Sequence, residues 1–148
     1  ARPEVQFVAA AELFSHPVLR LAMDALGTVR LDRDDTRLAA RQLAAAAGGD
    51  QLRLVIFADG GLVAPDHQHP FKTGAFVLAI DAQASVVPVA IHGASHIVPK
   101  GELYGIRRGR VVIEFLEPIP TKDLTRADRK RLRTDAQVAV RGALARGV

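Results

Sequence analysis

Glycines and charged residues follow two apolar segments at positions where an α/β protein could bind an anionic ligand. Arg33 follows a short apolar run and precedes residues expected to form a helix, and Asp59, Gly60 and Gly61 follow the apolar residues 52–57. Ligand loops of α/β proteins lie at the carboxyl ends of strands. Glycine allows close approach of the backbone, and helix N-termini attract phosphate. These four residues therefore form a candidate binding site for an anion.

Each of these residues also has an ordinary structural explanation. Arg33 could pair with the aspartates around it. Residues 59–61 could form a plain turn, since Asp and Gly are common turn residues. Lys72, which lies beside the second loop, could be an exposed surface lysine. The sequence leaves both explanations open for all of them.

His67 and His69 suggest a metal site, because imidazole is a common metal ligand. Two ligands do not complete a site, and a third is not evident nearby in the sequence. A metal-dependent hydrolase built on this pair is therefore a weak alternative. We expect solvated loop histidines, with no bound metal or cofactor.

The composition narrows the class of protein. The 148 residues are 49% hydrophobic and 5% aromatic, they lack cysteine, and their formal net charge is +4. The length predicts one domain, and the absence of cysteine excludes disulfides and thiolate sites. The basic charge suits an anionic partner. The low aromatic content and the absence of a known motif argue against nucleic acid. The apolar stretches are all shorter than the roughly 18 residues typical of a membrane-spanning helix.

The order of apolar segments predicts strands that alternate with helices. Strands are predicted at residues 5–9, 28–31, 52–57, 86–91 and 110–116, and helices at 17–26, about 35–47, 73–83 and from 125 onward. Residues 95–109 are predicted to be a loop. Thr125 with Asp128 resembles a capping box that opens the last helix. The alternation predicts an α/β fold with a central, mainly β-sheet and helices on both faces.

Six segments, in order, resemble the motifs of one family, the PlsC-type acyltransferases, which include 1-acyl-glycerol-3-phosphate acyltransferase. They are Phe-Val-Ala with Glu-Leu-Phe within residues 7–14, Gly-Thr-Val-Arg-Leu-Asp-Arg at 27–33, Phe-Ala-Asp-Gly-Gly-Leu at 57–62, Pro-Phe-Lys-Thr-Gly-Ala at 70–75, Val-Pro-Val at 87–89 and Glu-Pro-Ile-Pro at 117–120. Each segment alone is a weak signal. Their order and spacing over nearly the whole chain make the resemblance strong.

The resemblance implies acyl transfer from acyl-CoA or acyl-carrier protein to the free hydroxyl of a lysophospholipid, at the cytoplasmic face of a membrane. It also implies that Arg33, Asp59, Gly60, Gly61 and Lys72 bind the substrate. The family motif at 57–62 reads Phe-Pro-Glu-Gly-Thr-Arg, so this chain has a shorter acid, keeps one glycine and lacks the closing arginine. We therefore expect this chain to bind phosphate more weakly than the family motif does. The headgroup of its lipid substrate stays unassigned.

The family's catalytic base is a histidine followed five positions later by an aspartate. Five positions after the histidines of this chain stand Leu21, Lys72, Gly74, Ile97 and Gly101, and none of them is acidic. We therefore assign no catalytic residue within residues 1–148. We expect a single acyltransferase-like domain whose base precedes Ala1, and a 148-residue protein with little or no turnover. The alternative is a catalytically inactive module that binds a lipid or a partner protein.

Two further segments could contact a membrane. Residues 18–26 are apolar on almost every side, and we expect them to be buried rather than inserted shallowly in a bilayer. A basic cluster at the start of the last helix could meet anionic headgroups, but we interpret it as a solvated helix face. Its members are Arg126, Arg129, Lys130, Arg131 and Arg133.

Overall fold

The computed structural model describes residues 4–10, 15, 17–31, 52–59, 69–97 and 107–147. The chain divides into two compact units, Ala1–Phe57 and Ala58–Val148. The predicted helix at about 35–47 and three of the candidate residues, Arg33, Gly60 and Gly61, lie outside the described residues. The expectation of one acyltransferase-like domain stays a prediction.

The first unit contains a parallel sheet. Its elements are β1 (Glu4–Ala10), α1 (Pro17–Ala25), β2 (Val29–Leu31) and β3 (Leu52–Ile56). The strand order is β2-β1-β3, and Val8 of β1 pairs with Val29 on one side and with Ile56 on the other. Parallel neighbours need a crossover connection, and a helix usually forms it. The observed bounds confirm the strands predicted at 5–9, 28–31 and 52–57 within one residue at each end.

Helix α1 begins and ends where the sequence predicts. Proline is tolerated at the first helical position because its missing N–H would be unpaired there, and α1 begins at Pro17. Gly27 has a φ of 62°, and the N–H of Thr28 donates to the Met23 carbonyl at 2.9 Å. This left-handed conformation favours glycine after a helix. The expected burial of this segment is wrong for its large side chains Leu21 and Leu26, which are 74% and 66% exposed.

The second unit packs helices against a two-stranded antiparallel sheet. Its elements are α2 (Gly74–Asp81), β4 (Val89–His92), α3 (Ala94–Ile97), β5 (Val112–Phe115), a 3₁₀ turn (Arg126–Asp128) and α4 (Arg129–Arg146). Phe76 and Ile80 of α2 form the core with Leu132 and Ala136 of α4. These positions are one turn apart on each helix, so each helix presents one apolar stripe to the other. Together the two units confirm the α/β class.

Two predicted boundaries in the second unit need correction. The strand predicted at 86–91 begins only at Val89, and Val86 forms an isolated bridge with Ile119. The strand starts late because Pro88 has no N–H to donate to a ladder. The loop predicted at 95–109 includes the last three residues of the short helix α3. Residues 98–106 lie outside the described part of the chain.

The capping box predicted at the last helix is present. The Asp128 carboxylate accepts hydrogen bonds from the backbone N–H and from the hydroxyl of Thr125, both at 3.0 Å. The backbone hydrogen bond from Thr125 is the main reason why the pKa of Asp128 lies below its ordinary value. One turn of 3₁₀ helix then leads into α4.

A polar group that we call the Glu114 network lies where β4, β5 and α4 meet. The Glu114 carboxylate is 3.1 Å from Nε2 of the buried His92 and 3.0 Å from Nη2 of Arg146. These contacts, the hydrogen bond with His92 above all, hold the pKa of Glu114 below its ordinary value. The network thus joins the sheet to the end of the last helix.

Within the described residues, no helix has the length and the apolar character needed to cross a bilayer.

Candidate functional site

The second unit contains an open cleft of about 480 Å³ beside the start of α2. Its size lies in the range of small-ligand sites, which is roughly 300–1,000 Å³. Seven of the described residues line it, and they are Asp59, His69, Pro70, Phe71, Lys72, Thr73 and Arg133. Two of them, Asp59 and Lys72, are residues that the sequence predicts to bind substrate. The structure therefore brings together the two predicted site residues that it describes.

Backbone hydrogen bonding explains why Asp59 and Lys72 meet. The N–H of Lys72 donates to the carbonyl of Ala58 at 2.7 Å, which ties the turn at Asp59 to the segment 69–73. Phe71 stacks on Phe76 of the core, with ring centroids 6.4 Å apart and an interplanar angle of 18°. Stacked aromatic pairs add stabilisation beyond the area that they bury. The backbone of residues 58–59 and 69–73 is thus held both by a short hydrogen bond and by an aromatic anchor.

Gln137 on α4 holds the same segment from the other side. Its side-chain amide accepts a hydrogen bond from the N–H of Phe71 at 3.4 Å and donates one to the carbonyl of His69 at 3.2 Å. Gln137 is 9% exposed, so these two hydrogen bonds satisfy amide atoms that water would reach poorly. A helix residue far away in sequence therefore fixes one wall of the cleft.

Arg133 lies one helical turn before Gln137 and on the same side of α4, and it also reaches the cleft. Its side chain is partly buried, and its Nε atom is buried with no hydrogen-bond partner among the described residues. A buried donor without a partner costs free energy, and a charged one costs more. Arg133 and Lys72 together supply two cationic side chains to the described lining of the cleft, which also contains the acidic Asp59.

The basic cluster at the start of the last helix is therefore not a uniform solvated face. Lys130 and Arg131 are exposed as expected. Arg126 instead forms a bidentate pair with Asp81, with N···O distances of 2.7 Å and 2.6 Å. The hydrogen bonds of this pair raise the pKa of Arg126. The expectation fails for Arg133, which lines the cleft, because that residue borders the buried stripe of α4 next to Leu132.

Only one histidine of the predicted pair lies in the described part of the chain. His69 lines the cleft, whereas His67 lies outside the described residues. Among the described residues, groups of three or more His, Asp or Glu side chains that could hold a metal ion do not occur. The expectation that no metal is bound stays a prediction.

Comparison with known proteins finds a family match that contains the first five of the six motif-like segments. The model of the acyltransferase family matches residues 1–92 of this chain. The chain belongs to the acyltransferase family. The match includes Asp59 and Lys72, whereas Arg133 and Gln137 lie beyond its last residue.

Individual members of the acyltransferase family agree with this assignment. The chain is 42% identical over 59 residues to 1-acyl-sn-glycerol-3-phosphate acyltransferase beta of Homo sapiens, a match that covers 40% of the chain and 21% of the human protein. It is 31% identical over 159 residues to the lyso-ornithine lipid O-acyltransferase of Pseudomonas aeruginosa, which covers 93% of the chain and 58% of that protein. The chain thus spans about a fifth to three-fifths of these two curated relatives.

A solved member of the family has the same fold. The crystal structure of the 1-acyl-sn-glycerophosphate acyltransferase PlsC from Thermotoga maritima matches with a TM-score of 0.69 and 25% sequence identity. The match covers 94% of this chain and 55% of the PlsC chain. The α/β class and the resemblance to PlsC-type acyltransferases are therefore confirmed.

Proposed function

We propose that this chain is the substrate-binding part of an enzyme that transfers an acyl group to the free hydroxyl of a lysophospholipid. The family match over residues 1–92 carries the proposal. The meeting of Asp59 and Lys72 in one cleft supports it from the structure. The relatives are named for two different acceptors, lysophosphatidate and lyso-ornithine lipid. The acceptor is therefore proposed as a lysolipid, and the Lys72 ammonium in the cleft favours a headgroup that carries an anionic group.

The reaction exchanges a thioester for an oxygen ester. The acceptor oxygen bonds to the acyl carbonyl carbon of acyl-CoA or acyl-carrier protein, and the carbon–sulfur bond breaks. The hydroxyl proton passes to a general base and then to the leaving thiolate, so no electrons are gained or lost. The resemblance assigns the base to a histidine that precedes the segment at 7–14. Residues of the cleft bind and orient the acceptor. They contribute to the rate by holding the two reactants together.

Asp59 and Lys72 have complementary roles in this proposal. The Lys72 ammonium attracts the anionic headgroup as a point charge. The Asp59 carboxylate accepts a hydrogen bond from a hydroxyl of the acceptor, which turns the lipid in a defined direction. Arg33, Gly60 and Gly61, which the resemblance also implies in binding, remain proposed contacts of the same substrate.

We also propose that the protein works on a membrane surface, at its cytoplasmic face. Leu21 and Leu26, which are largely exposed, support this in the first unit. Apolar side chains on a surface helix insert at the boundary between headgroups and acyl chains, and basic residues strengthen the attachment to anionic lipids. Co-sedimentation with vesicles of phosphatidylglycerol and phosphatidylcholine tests this. A Leu21→Ser, Leu26→Ser variant that sediments as well as the unaltered protein argues against it.

The activity is tested on the complete natural protein, with release of free thiol from acyl-CoA or acyl-carrier protein as the readout. Lysophosphatidate and lyso-ornithine lipid are supplied in parallel as acceptors. We expect turnover with at least one of them, and little or none from the 148-residue chain. Clear turnover by that chain would contradict the expectation that the base precedes Ala1. Acceptor binding without turnover in the complete protein would instead support an inactive lipid-binding module.

A further inference from the structure

We propose that Arg133, on the last helix, is a binding residue for a phosphate group in the cleft. This inference deepens the proposed function and rests on it. It concerns a residue outside the segment that the family model matches. The juxtaposition that carries it is a guanidinium with an unpaired buried atom, next to Lys72 and Thr73, in the same open cleft.

Other arginines of the second unit have acidic partners. Arg126 pairs with Asp81, Arg131 lies 3.5 Å from Asp128, and Arg146 pairs with Glu114. Arg133 has no ion pair of this kind among the described residues, although it lies deeper in the structure than Arg131. Because a guanidinium stays charged at any ordinary pH, and this one lines the cleft without such an ion pair, an anion in the cleft is attracted to it.

The groups that line the cleft with Arg133 suit a phosphate. Arg133 offers a planar fork of donors that matches phosphate, and the Lys72 ammonium adds a second positive charge. The Thr73 hydroxyl makes no capping hydrogen bond to α2, and it also lines the cleft. The N-terminus of the eight-residue helix α2 lies directly after Thr73, and a helix N-terminus favours negative charge. A dianionic phosphate is therefore a better match to this set than a neutral headgroup.

The helix that carries Arg133 is anchored on both sides of this residue. Gln137, one turn further along α4, is fixed to both His69 and Phe71, so the face of α4 that carries Arg133 keeps a constant position against segment 69–73. Leu132, adjacent to Arg133, is 1% exposed and anchors the helix in the core. A site on a rigid element binds with less ordering cost than a site on a mobile loop.

The phosphate could belong to either substrate of the proposed reaction, since a lysophospholipid headgroup and the phosphopantetheine arm of the acyl donor both carry one. The two sources are separated by titrating the complete protein with glycerol 3-phosphate in one arm and with CoA in the other. Binding is followed calorimetrically and through the ¹⁵N–¹H shifts of the Phe71 and Lys72 amides. Stronger binding of glycerol 3-phosphate assigns the site to the acceptor, and stronger binding of CoA assigns it to the donor.

The variant Arg133→Gln tests the assignment. Removing hydrogen bonds to a charged group lowers affinity by roughly 10-fold to 100-fold. We therefore expect Kd to rise by at least about tenfold. Arg141→Gln is the matched control, because Arg141 is exposed on the same helix and lies outside the cleft. Arg133→Lys keeps the charge without the fork and should bind with intermediate affinity.

The outcomes also separate this inference from the proposed function. If both Arg133 variants fold, as judged by circular dichroism, and bind glycerol 3-phosphate and CoA as tightly as the unaltered protein, the inference is overturned even if acyl transfer is observed. If Arg133→Gln does not fold, Arg133→Lys decides in the same way. Loss of phosphate binding at Arg133 in a protein without acyl transfer would uphold the site and overturn the proposed reaction.

Discussion

Replacing Gln137 with leucine tests whether the wall of the cleft depends on the last helix. The substitution removes the acceptor of the Phe71 N–H and the donor to the His69 carbonyl. Leucine and glutamine have similar helix propensities, so the change acts mainly through these two contacts. We expect the segment 69–71 to lose its attachment to α4, whereas the hydrogen bond from Lys72 to Ala58 remains.

The magnitude follows from the geometry of the two hydrogen bonds. Their N···O distances are 3.4 Å to Phe71 and 3.2 Å to His69. Both distances are long for N–H···O contacts. A typical intramolecular hydrogen bond contributes about 0.5–1.5 kcal/mol net, so two long ones should contribute about 1–2 kcal/mol together. For a chain of this size that corresponds to a fall of roughly 2–8 °C in Tm.

The assay is urea and thermal unfolding followed by far-UV circular dichroism, since the chain contains no tryptophan. Hydrogen exchange of the Phe71 amide reports the local effect, and we expect faster exchange in Gln137→Leu. Arg141→Leu, at an exposed position of the same helix, is the control for propensity alone. If Gln137→Leu unfolds like the control and the Phe71 amide exchanges at its original rate, the reasoning about this wall is refuted.

Two further predictions concern the sheet of the second unit. Because the folded pKa of Glu114 is lowered, Glu114 stabilises the fold above its ordinary value of 4.5 and loses this contribution as the pH falls through 4.5 to the lower folded value. Glu114→Gln should therefore be less stable than the unaltered protein at neutral pH, and the gap in unfolding free energy should close as the pH falls below the folded pKa; a gap that does not change with pH would contradict this. Gly93 has a φ of 80°, and a Cβ there would overlap the carbonyl oxygen of Arg110. Gly93→Ala should cost more than the roughly 1–3 kcal/mol typical of a left-handed residue alone. It should also cost more than Gly27→Ala, where φ is 62° and the space is open; equal losses on urea unfolding would rule out the overlap.

Local signals determined much of the fold in advance. Pro17 and Gly27 bound α1 because one lacks an N–H and the other tolerates positive φ. The capping box at Thr125 and Asp128 marks the start of the last helix for a similarly local reason. The boundary of β4 moved because Pro88 interrupts the ladder, and the partner of Val86 across that interruption, Ile119, could be found only in the structure.

The family and two residues of the described cleft, Asp59 and Lys72, were likewise open to sequence reasoning. Asp59 follows a predicted strand and Lys72 lies beside the same loop, and both stand in segments that resemble the family's motifs, so the resemblance predicts that both bind the substrate. They are close in sequence, and one hydrogen bond from Lys72 to Ala58 keeps them together in the structure.

Arg133 and Gln137 could be assigned only by the tertiary structure. In sequence, Arg133 is one of several arginines in a basic run, and Gln137 is an ordinary polar residue of a helix. Both border the apolar stripe formed by Leu132 and Ala136. The helical period alone does not decide whether a polar side chain beside such a stripe meets solvent or a neighbouring segment. That outcome depends on which backbone packs there, and segment 69–73 does so because the core brings together α2 and α4, two helices that are distant in sequence.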